Sequence, residues 1–296
     1  MTQSKASAFC PGHVTCFFSI HDNHEDILRR GSRGVGFCLS KGCRTRIEVI
    51  EGKEDRIVTH GQEDGSFSTE IQERVIAKYR DLGLAQEMSF KVESLLELPI
   101  GQGFGMSGAA ALSTSLALSR IAGITRVKAV QIAHEVEVVT GGGLGDIAAQ
   151  DTGGIVVRKM EGARPYCDTQ DLDIDVDKVW LLLKSEKLST KEIITNTSFK
   201  HAISECGERA MDSFMEDLTV QGLCSASKKF ALDSGLAGKA GLLDWLNRMN
   251  SGSMVMLGRT LFTFDPREMK AIEDGNFHSI FCSIDHLGAK FIEREK

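Results

Sequence analysis

Long apolar runs are missing from this 296-residue sequence, and none approaches the roughly 18 residues that a membrane-spanning helix needs. The first residues carry one lysine and a short apolar patch broken by Pro11, Gly12 and His13, unlike the long apolar core of a signal peptide. Only four prolines occur, so no proline-rich linker divides the chain. We therefore expect a cytoplasmic protein with no membrane partner.

An excess of positive charge is also absent. The 35 Lys and Arg residues are outnumbered by 41 Asp and Glu residues, for a formal net charge of −6, which argues against a general polyanion-binding surface. We expect no nucleic-acid partner. The eight cysteines include no CxxC pair, so the sequence predicts reduced thiols rather than a structural zinc site or a disulfide framework.

The composition is that of an ordinary globular protein, with 42% hydrophobic and 26% charged residues. At roughly 150 residues per domain, the length favours two lobes. The polar, acidic stretch at 161–177 is typical of a surface connection. We predict an N-terminal lobe at 1–176 and a C-terminal lobe at 177–296.

Local patterns predict a mixed order of helices and strands. The glycine-punctuated segment at 31–42 indicates alternating strand and loop. Alternation and β-branched residues predict strands at 45–52, 90–99, 153–160 and 177–185, with late strand material at 277–292. Helical spacing of apolar residues predicts helices at 71–84, 107–122, 127–143, 213–235 and 242–250.

The most specific pattern is the segment PIGQGFGMSGAA at 99–110, between a predicted strand and a predicted helix. Its alternating glycines allow close approach of the backbone to a polyanion, and the helix that follows presents unpaired N–H groups. The segment lacks the GK[ST] of a Walker loop and the spacing of a Rossmann fingerprint. A phosphate-binding loop and a plain tight turn are the two interpretations. The residues that we predict to bind a nucleotide are Pro99, Gly101, Gly103, Phe104, Gly105, Met106, Ser107, Gly108 and Ala109.

Carboxylates follow this loop on the next predicted helix and in the glycine turn at its end. Glu135 and Glu137 lie on the helix, and Asp146 comes after the turn TGGGLG at 140–145. Carboxylates so placed could hold Mg²⁺ and orient an attacking hydroxyl, as phosphoryl transfer requires. Residues two apart in a helix point to different sides, so only one of the two glutamates can face the phosphates, and we favour Glu137. Solvated helix charges and a turn aspartate are the alternatives.

The segment at 99–110 resembles the second motif of the GHMP kinases, usually written PxxxGLGSSAA. The resemblance implies an α+β fold of two lobes with the active site in the cleft between them, and ATP and Mg²⁺ as cofactors. It also implies catalytic roles for Ser107 and Glu137, which would hold the magnesium ion, and for Asp146, which would lie beside the acceptor hydroxyl. Met106 stands where the family commonly has its first serine.

A narrower resemblance is to the archaeal pantoate kinases, carried by 11–15, 28–36 and 140–150. Members of that family use ATP to phosphorylate the 4-hydroxyl of (R)-pantoate on the archaeal route to coenzyme A. The resemblance implies a small carboxylate-bearing substrate, for which arginine forks and hydroxyl groups are suitable partners. The sequence does not decide between a monomer and a homodimer, the form that is common among related kinases. The substrate-binding candidates are His21, Ser32, Arg33 and Arg158.

Several patterns leave alternatives. His13 could point into the pocket or bond to a turn. The segment at 251–262 is the counterpart of the third GHMP motif, a glycine loop and helix, or else a core helix packed through Met254, Leu257 and Leu261. Hydroxyls at 184–191 predict a helix cap. The function could also be phosphorylation of homoserine, mevalonate or a related alcohol, or nucleotide binding without catalysis.

Overall fold

The computed structural model describes residues 4–61, 67–184, 197–273 and 277–293. They form a mixed α/β structure with two sheets. The strands are β1 (Lys5–His21), β2 (Gly31–Ile50), β3 (Arg56–His60), β4 (Ser89–Leu96), β5 (Ile155–Met160), β6 (Asp168–Leu172), β7 (Lys178–Leu183), β8 (Gly252–Val255), β9 (Thr260–Thr263), β10 (His278–Ser283) and β11 (Lys290–Phe291). The helices are α1 (Glu70–Asp81), α2 (Met106–Ala122), α3 (Arg126–Thr140), α4 (Asp146–Thr152), α5 (Thr197–Glu216), α6 (Val220–Asp233), α7 (Leu236–Ala240), α8 (Leu243–Arg248) and α9 (Pro266–Glu273), with a short 3₁₀ turn at Ile27–Arg29.

The first sheet has seven strands in the order β11-β1-β2-β4-β3, and β5 and β6 extend it from β2. All of its pairs are antiparallel except β3 with β4. The second sheet has four antiparallel strands in the order β10-β7-β9-β8. α2 packs on β1, β2 and α3, and its buried run of small and apolar side chains lies in the core that joins both sheets. None of the described helices combines the length and apolar character that crossing a bilayer demands.

Most predicted elements occur within a few residues of their predicted bounds. The predicted helix at 213–235 is instead divided between α5 and α6, and the interpretation of 31–42 was wrong. This segment belongs to the continuous strand β2 rather than to alternating strand and loop. Its glycines allow close approach to β1: a Cβ at Gly42 would lie 2.0 Å from the carbonyl oxygen of Cys10. Glycines that indicate turns in a sequence here allow two long strands to pair through bulges.

Two further expectations fail where sheet pairing overrides the local pattern. The segment at 251–262 is neither a loop and helix nor a core helix, because its two ends form the hairpin β8–β9 with Val255 opposite Thr260. Both of these strands are fully buried, so apolar residues do not alternate, and periodicity alone does not distinguish such strands from a buried helix. The connection at 161–177 contains the edge strand β6, whose polar side chains are mostly exposed. The predicted cap falls largely at 185–191, outside the described residues.

Candidate active site

The glycine-rich loop joins the end of β4 to the start of α2. Gly101, Gly103 and Gly105 all have positive φ, at 79°, 83° and 58°. The loop therefore favours glycine at these positions, because a residue with a Cβ is strained in the left-handed region. At Gly103 space is also limiting, since a Cβ would lie 2.6 Å from the carbonyl oxygen of Met256. The loop leads directly into the first turn of α2, where unpaired N–H groups favour bound anions.

A cavity of about 330 Å³ opens above this loop. Seven of the nine predicted nucleotide-binding residues line it, whereas Gly108 and Ala109 are buried in the first turn of α2. The opposite wall comes from the turn at 140–146, which follows α3. The cavity is therefore bounded by the two glycine-rich segments that the sequence singles out. The lining residues from the loop are Pro99, Gly101, Gly103, Phe104, Gly105, Met106 and Ser107.

Ser107 lines the cavity and contacts the buried carboxylate of Glu137. The Ser107 hydroxyl donates a hydrogen bond of 2.7 Å to Oε1 of Glu137. Glu137 is only 1% exposed, and its Oε2 has no hydrogen-bond partner in the described part of the chain. Burial and the nearby Asp146 charge raise the pKa of Glu137 to about 8, against the lowering effect of the Ser107 hydrogen bond. An unpartnered buried carboxylate oxygen is costly unless a cation completes its surroundings.

The neighbouring Glu135 points elsewhere. Its carboxylate forms a 2.5 Å ion pair with Lys78 on α1. The packing of α1 against α3 thus directs one glutamate to the helix interface, while Glu137 lies beside Ser107. No cluster of three or more His, Cys, Asp or Glu side chains suited to a metal occurs among the described residues. The oxygens of Ser107 and Glu137 nevertheless suit Mg²⁺, which binds through one or two carboxylates plus substrate phosphates and waters.

The turn after α3 keeps the space between the acidic groups open. A Cβ at Gly142 would lie 2.5 Å from the Ser107 hydroxyl and 2.7 Å from Oε1 of Glu137. A Cβ at Gly143 would lie 2.7 Å from Oδ2 of Asp146 and 3.0 Å from the same Glu137 oxygen. Any side chain at these two glycines would fill the space between the Ser107 hydroxyl and the carboxylates of Glu137 and Asp146.

Asp146 is held by a buried chain of polar side chains. Its Oδ1 lies 2.7 Å from Nδ1 of His13, and Nη1 of Arg158 lies 3.4 Å from Nε2 of the same imidazole. Burial lowers the pKa of His13, although Asp146 opposes this, and burial lowers the pKa of Arg158 as well. A neutral His13 can donate from Nδ1 to Asp146 and accept at Nε2 from Arg158, so one imidazole links the carboxylate to the guanidinium.

Ser32 and Arg158 come together beside the backbone of Gly145. A Cβ at Gly145 would lie 2.3 Å from the Ser32 hydroxyl and 2.8 Å from Nε of Arg158. Ser32 lines the cavity. Arg158 is 1% exposed, and its Nε has no hydrogen-bond partner among the described residues. The guanidinium therefore lies behind the cavity wall, where its charge acts on Asp146.

Arg33 and His21 are not brought to the cavity. Arg33 follows Ser32 in a strand, so its side chain projects from the other face, and its Nε donates a 2.6 Å hydrogen bond to Glu161. His21 Nε2 lies 2.9 Å from the Ser19 hydroxyl and 3.3 Å from Glu208 on α5. Both groups take part in a polar cluster between the first sheet and α5.

The site also contains residues that sequence reasoning left open or missed. The sequence left open whether His13 points into the pocket or bonds to a turn. The feature that indicates a site residue is its polar side chain in the Pro-Gly-His-Val-Thr segment at 11–15. Gln150 is fully buried, and its Nε2 donates a hydrogen bond of 2.9 Å to the carbonyl oxygen of Gly105. Thr15, Phe18 and Leu257 line the cavity and carry no local signal of function.

The second sheet holds the glycine-rich loop that precedes α2 in place. The side-chain amide of Gln102 donates 2.8 Å to the carbonyl of Lys184, and its oxygen accepts 3.0 Å from the Thr260 hydroxyl. The turn between β8 and β9 packs so closely that a Cβ at Gly258 would lie 2.1 Å from the Gln102 carbonyl. The turn between β8 and β9 therefore packs directly on the backbone of the glycine-rich loop.

Comparisons with known proteins agree with this geometry. Residues 70–154 match the family model described as the GHMP kinases N terminal domain. The pantoate kinase of Thermococcus kodakarensis is 34% identical over 86% of both chains. The pantoate kinase of Methanocaldococcus jannaschii is 31% identical over 88% of this chain and 93% of its own length.

Solved structures show the same fold. A phosphotransferase related to the CoA biosynthesis pathway superposes with a TM-score of 0.83 at 28% identity, over 99% of this chain and all of its own. A homoserine kinase from Cytophaga hutchinsonii, at 16% identity and a TM-score of 0.65 over 98% of both chains, shares the fold. Sequence identity over most of the chain, the family model and the geometry of the cavity agree: the chain belongs to the pantoate kinase family of the GHMP kinases.

Proposed function

We propose that this enzyme transfers the terminal phosphoryl group of ATP to the 4-hydroxyl of (R)-pantoate, giving 4-phosphopantoate and ADP. The observation that carries the proposal is a cavity lined by Ser107, which bonds the buried Glu137, and by Asp146, which His13 holds. The first pair suits the phosphates and their cation. Asp146 suits an acceptor hydroxyl, and the names of the relatives indicate which acceptor.

The nucleotide phosphates would lie on the glycine loop and the first turn of α2. Backbone N–H groups from Gly103 to Ser107 then face the anion, and the helix dipole favours its charge. Ser107 and the unpartnered oxygen of Glu137 would hold Mg²⁺. A bound magnesium ion supplies neutralisation of charge on the β- and γ-phosphates. Gly142 and Gly143 leave room for this arrangement.

Asp146 would accept a hydrogen bond from the 4-hydroxyl and receive its proton as the new bond to phosphorus forms. In a loose transition state the positioning of the hydroxyl matters more than its early deprotonation. His13 fixes the orientation of the carboxylate by occupying Oδ1, which leaves Oδ2 for the substrate. This division of the two oxygens gives Asp146 one productive orientation.

The substrate carboxylate would lie near Ser32, with the positive charge of Arg158 behind it. The Ser32 hydroxyl lines the cavity and can donate to the carboxylate. Arg158 is buried beneath Gly145, so it contributes charge at short range and holds His13. Arg33 and His21 have no direct part in this proposal, because Glu161, Ser19 and Glu208 bind their polar atoms. We place the boundary between the lobes at 176/177, between β6 of the first sheet and β7 of the second.

The test is transfer from ATP with Mg²⁺ to a panel of (R)-pantoate, pantothenate, mevalonate and homoserine, with each product identified by mass. Selective formation of phosphopantoate is the expected result. Phosphorylation of another member of the panel would keep the roles of Ser107 and Asp146 but refute the acceptor. ATP binding without transfer to any acceptor would refute the proposed catalytic activity and would favour a non-catalytic nucleotide-binding protein.

A further inference from the structure

The turn between β8 and β9 contains a residue with an unfavourable backbone conformation. Leu257 has φ +64°, and it is the only non-glycine residue with positive φ in the described ranges 4–61, 67–184, 197–273 and 277–293. A branched, apolar side chain in the left-handed region is unfavourable, because Cβ approaches the carbonyl oxygen that follows. Strain of this kind concentrates at functional sites.

Neighbouring contacts keep the turn in this conformation. The N–H of Gly258 donates 3.3 Å to the carbonyl of Val255, and the N–H of Met256 donates 3.3 Å to the carbonyl of Thr15 on β1. Gly258 packs against Gln102 in the glycine-rich loop. The turn is therefore held between β1 and the glycine-rich loop, and the strained position carries leucine where glycine would remove the strain.

Leu257 is half-buried and lines the cavity together with Phe18 and Leu144. Phe18 is 5% exposed and packs on Phe230, with ring centroids 5.6 Å apart. Thr15 and Phe18 come from β1, the strand that also carries His13. The cavity that Asp146 lines is therefore also lined by apolar side chains.

We propose that Leu257 and Phe18 form the wall that receives the two methyl groups on C3 of pantoate, and that the strain at Leu257 is retained for this contact. The inference rests on the proposed function and adds a specificity-determining pair to it. The methyl-bearing carbon of pantoate lies next to the carbon whose hydroxyl reacts. An apolar surface in the cavity that Asp146 also lines would both recognise these methyl groups and restrict rotation of the reacting hydroxyl.

The test compares kcat/KM for (R)-pantoate with kcat/KM for 2,4-dihydroxybutanoate of the same C2 configuration, which lacks both methyl groups. The variants are Leu257→Gly, which removes the strain and the side chain, and Leu257→Asn, which tolerates positive φ but is polar. Leu287→Ala, at a site that is 72% exposed, is the control. Thermal unfolding and the KM for ATP are measured for each protein.

The wild type and the control should prefer pantoate by at least about tenfold, the usual range for one or two methyl groups in an apolar pocket. Both Leu257 variants should lose most of this preference, with the KM for ATP within about threefold and Tm within about 3 °C of wild type. Preserved preference in Leu257→Gly, or equal losses for both substrates with a large fall in Tm, would overturn the proposal. If the wild type phosphorylates no pantoate, the proposed function itself fails.

Discussion

Glu137 should make the stability of the cation-free protein depend on pH. Its pKa is raised to about 8 in the folded protein, chiefly by burial and then by the Asp146 charge, from an ordinary value of 4.5. The folded state therefore keeps a proton that the unfolded state releases as pH rises above 4.5. Stability falls through this interval and levels off above pH 8. The perturbation that tests this is Glu137→Gln, which keeps the shape of the side chain and removes the titration.

The size of the effect follows from the two pKa values. Their difference, at about 1.4 kcal/mol per pKa unit, corresponds to about 5 kcal/mol at most. For a chain of this length, 1 kcal/mol moves Tm by about 2 °C. In the absence of divalent cations, the Tm of the wild type should fall between pH 5 and pH 9 by about 5–10 °C more than the Tm of Glu137→Gln falls. Adding Mg²⁺ with a non-hydrolysable ATP analogue should remove the difference, because a cation stabilises the ionised carboxylate.

The assay is thermal unfolding across this pH range in the presence of a chelator. Glu135→Gln is the matched control, since it makes the same chemical change two residues away on α3, in a carboxylate paired with Lys78. The control should follow the pH profile of the wild type and retain activity within a few-fold. Parallel profiles for the wild type and Glu137→Gln would refute the reasoning, because a buried, unpartnered carboxylate must cost stability when it ionises.

Three other expectations concern catalysis. Asp146→Asn should lower kcat by about 10²–10⁴-fold with Tm little changed, and near wild-type turnover would contradict the assigned role. His13→Gln should lower kcat by about ten- to a hundredfold through misplacement of Asp146; a change confined to the KM for ATP would contradict this. Gly142→Ala should raise the KM for ATP by about tenfold, since its Cβ would lie 2.5 Å from the Ser107 hydroxyl, while Gly238→Ala, whose nearest neighbour is 3.7 Å away, should leave steady-state kinetics unchanged.

The glycine-rich loop before α2 could be predicted because everything it needs is contiguous in the chain. The alternating glycines, Ser107 and the start of α2 follow one another within ten residues, so local geometry brings the N–H groups and the hydroxyl to one place. The glycine turn that ends α3 at Gly141, in the left-handed conformation, is equally local. Its position after α3 brings Asp146 to the start of α4.

Tertiary structure decided what depended on distant partners. Helical geometry requires that Glu135 and Glu137 face different sides, but the packing of α1, which brings Lys78 to Glu135, determines which of them lies at the cavity. His13 meets an aspartate 133 residues away, and neither residue by itself indicates the other. Only the pairing of β1 with β2, and the packing of α4 on β1, brings the two groups together.

The hairpin β8–β9 shows the same limit in the fold. Its apolar residues fit a buried helix and a buried strand equally well, and pairing of β9 with β7 selects the strand. The same pairing places Leu257 in a strained turn at the cavity. The sequence by itself determined the local elements, a glycine-rich loop followed by carboxylates, because backbone conformation depends on neighbouring residues. Long-range packing decided which side chains converge, because burial and pairing depend on residues far apart in the chain.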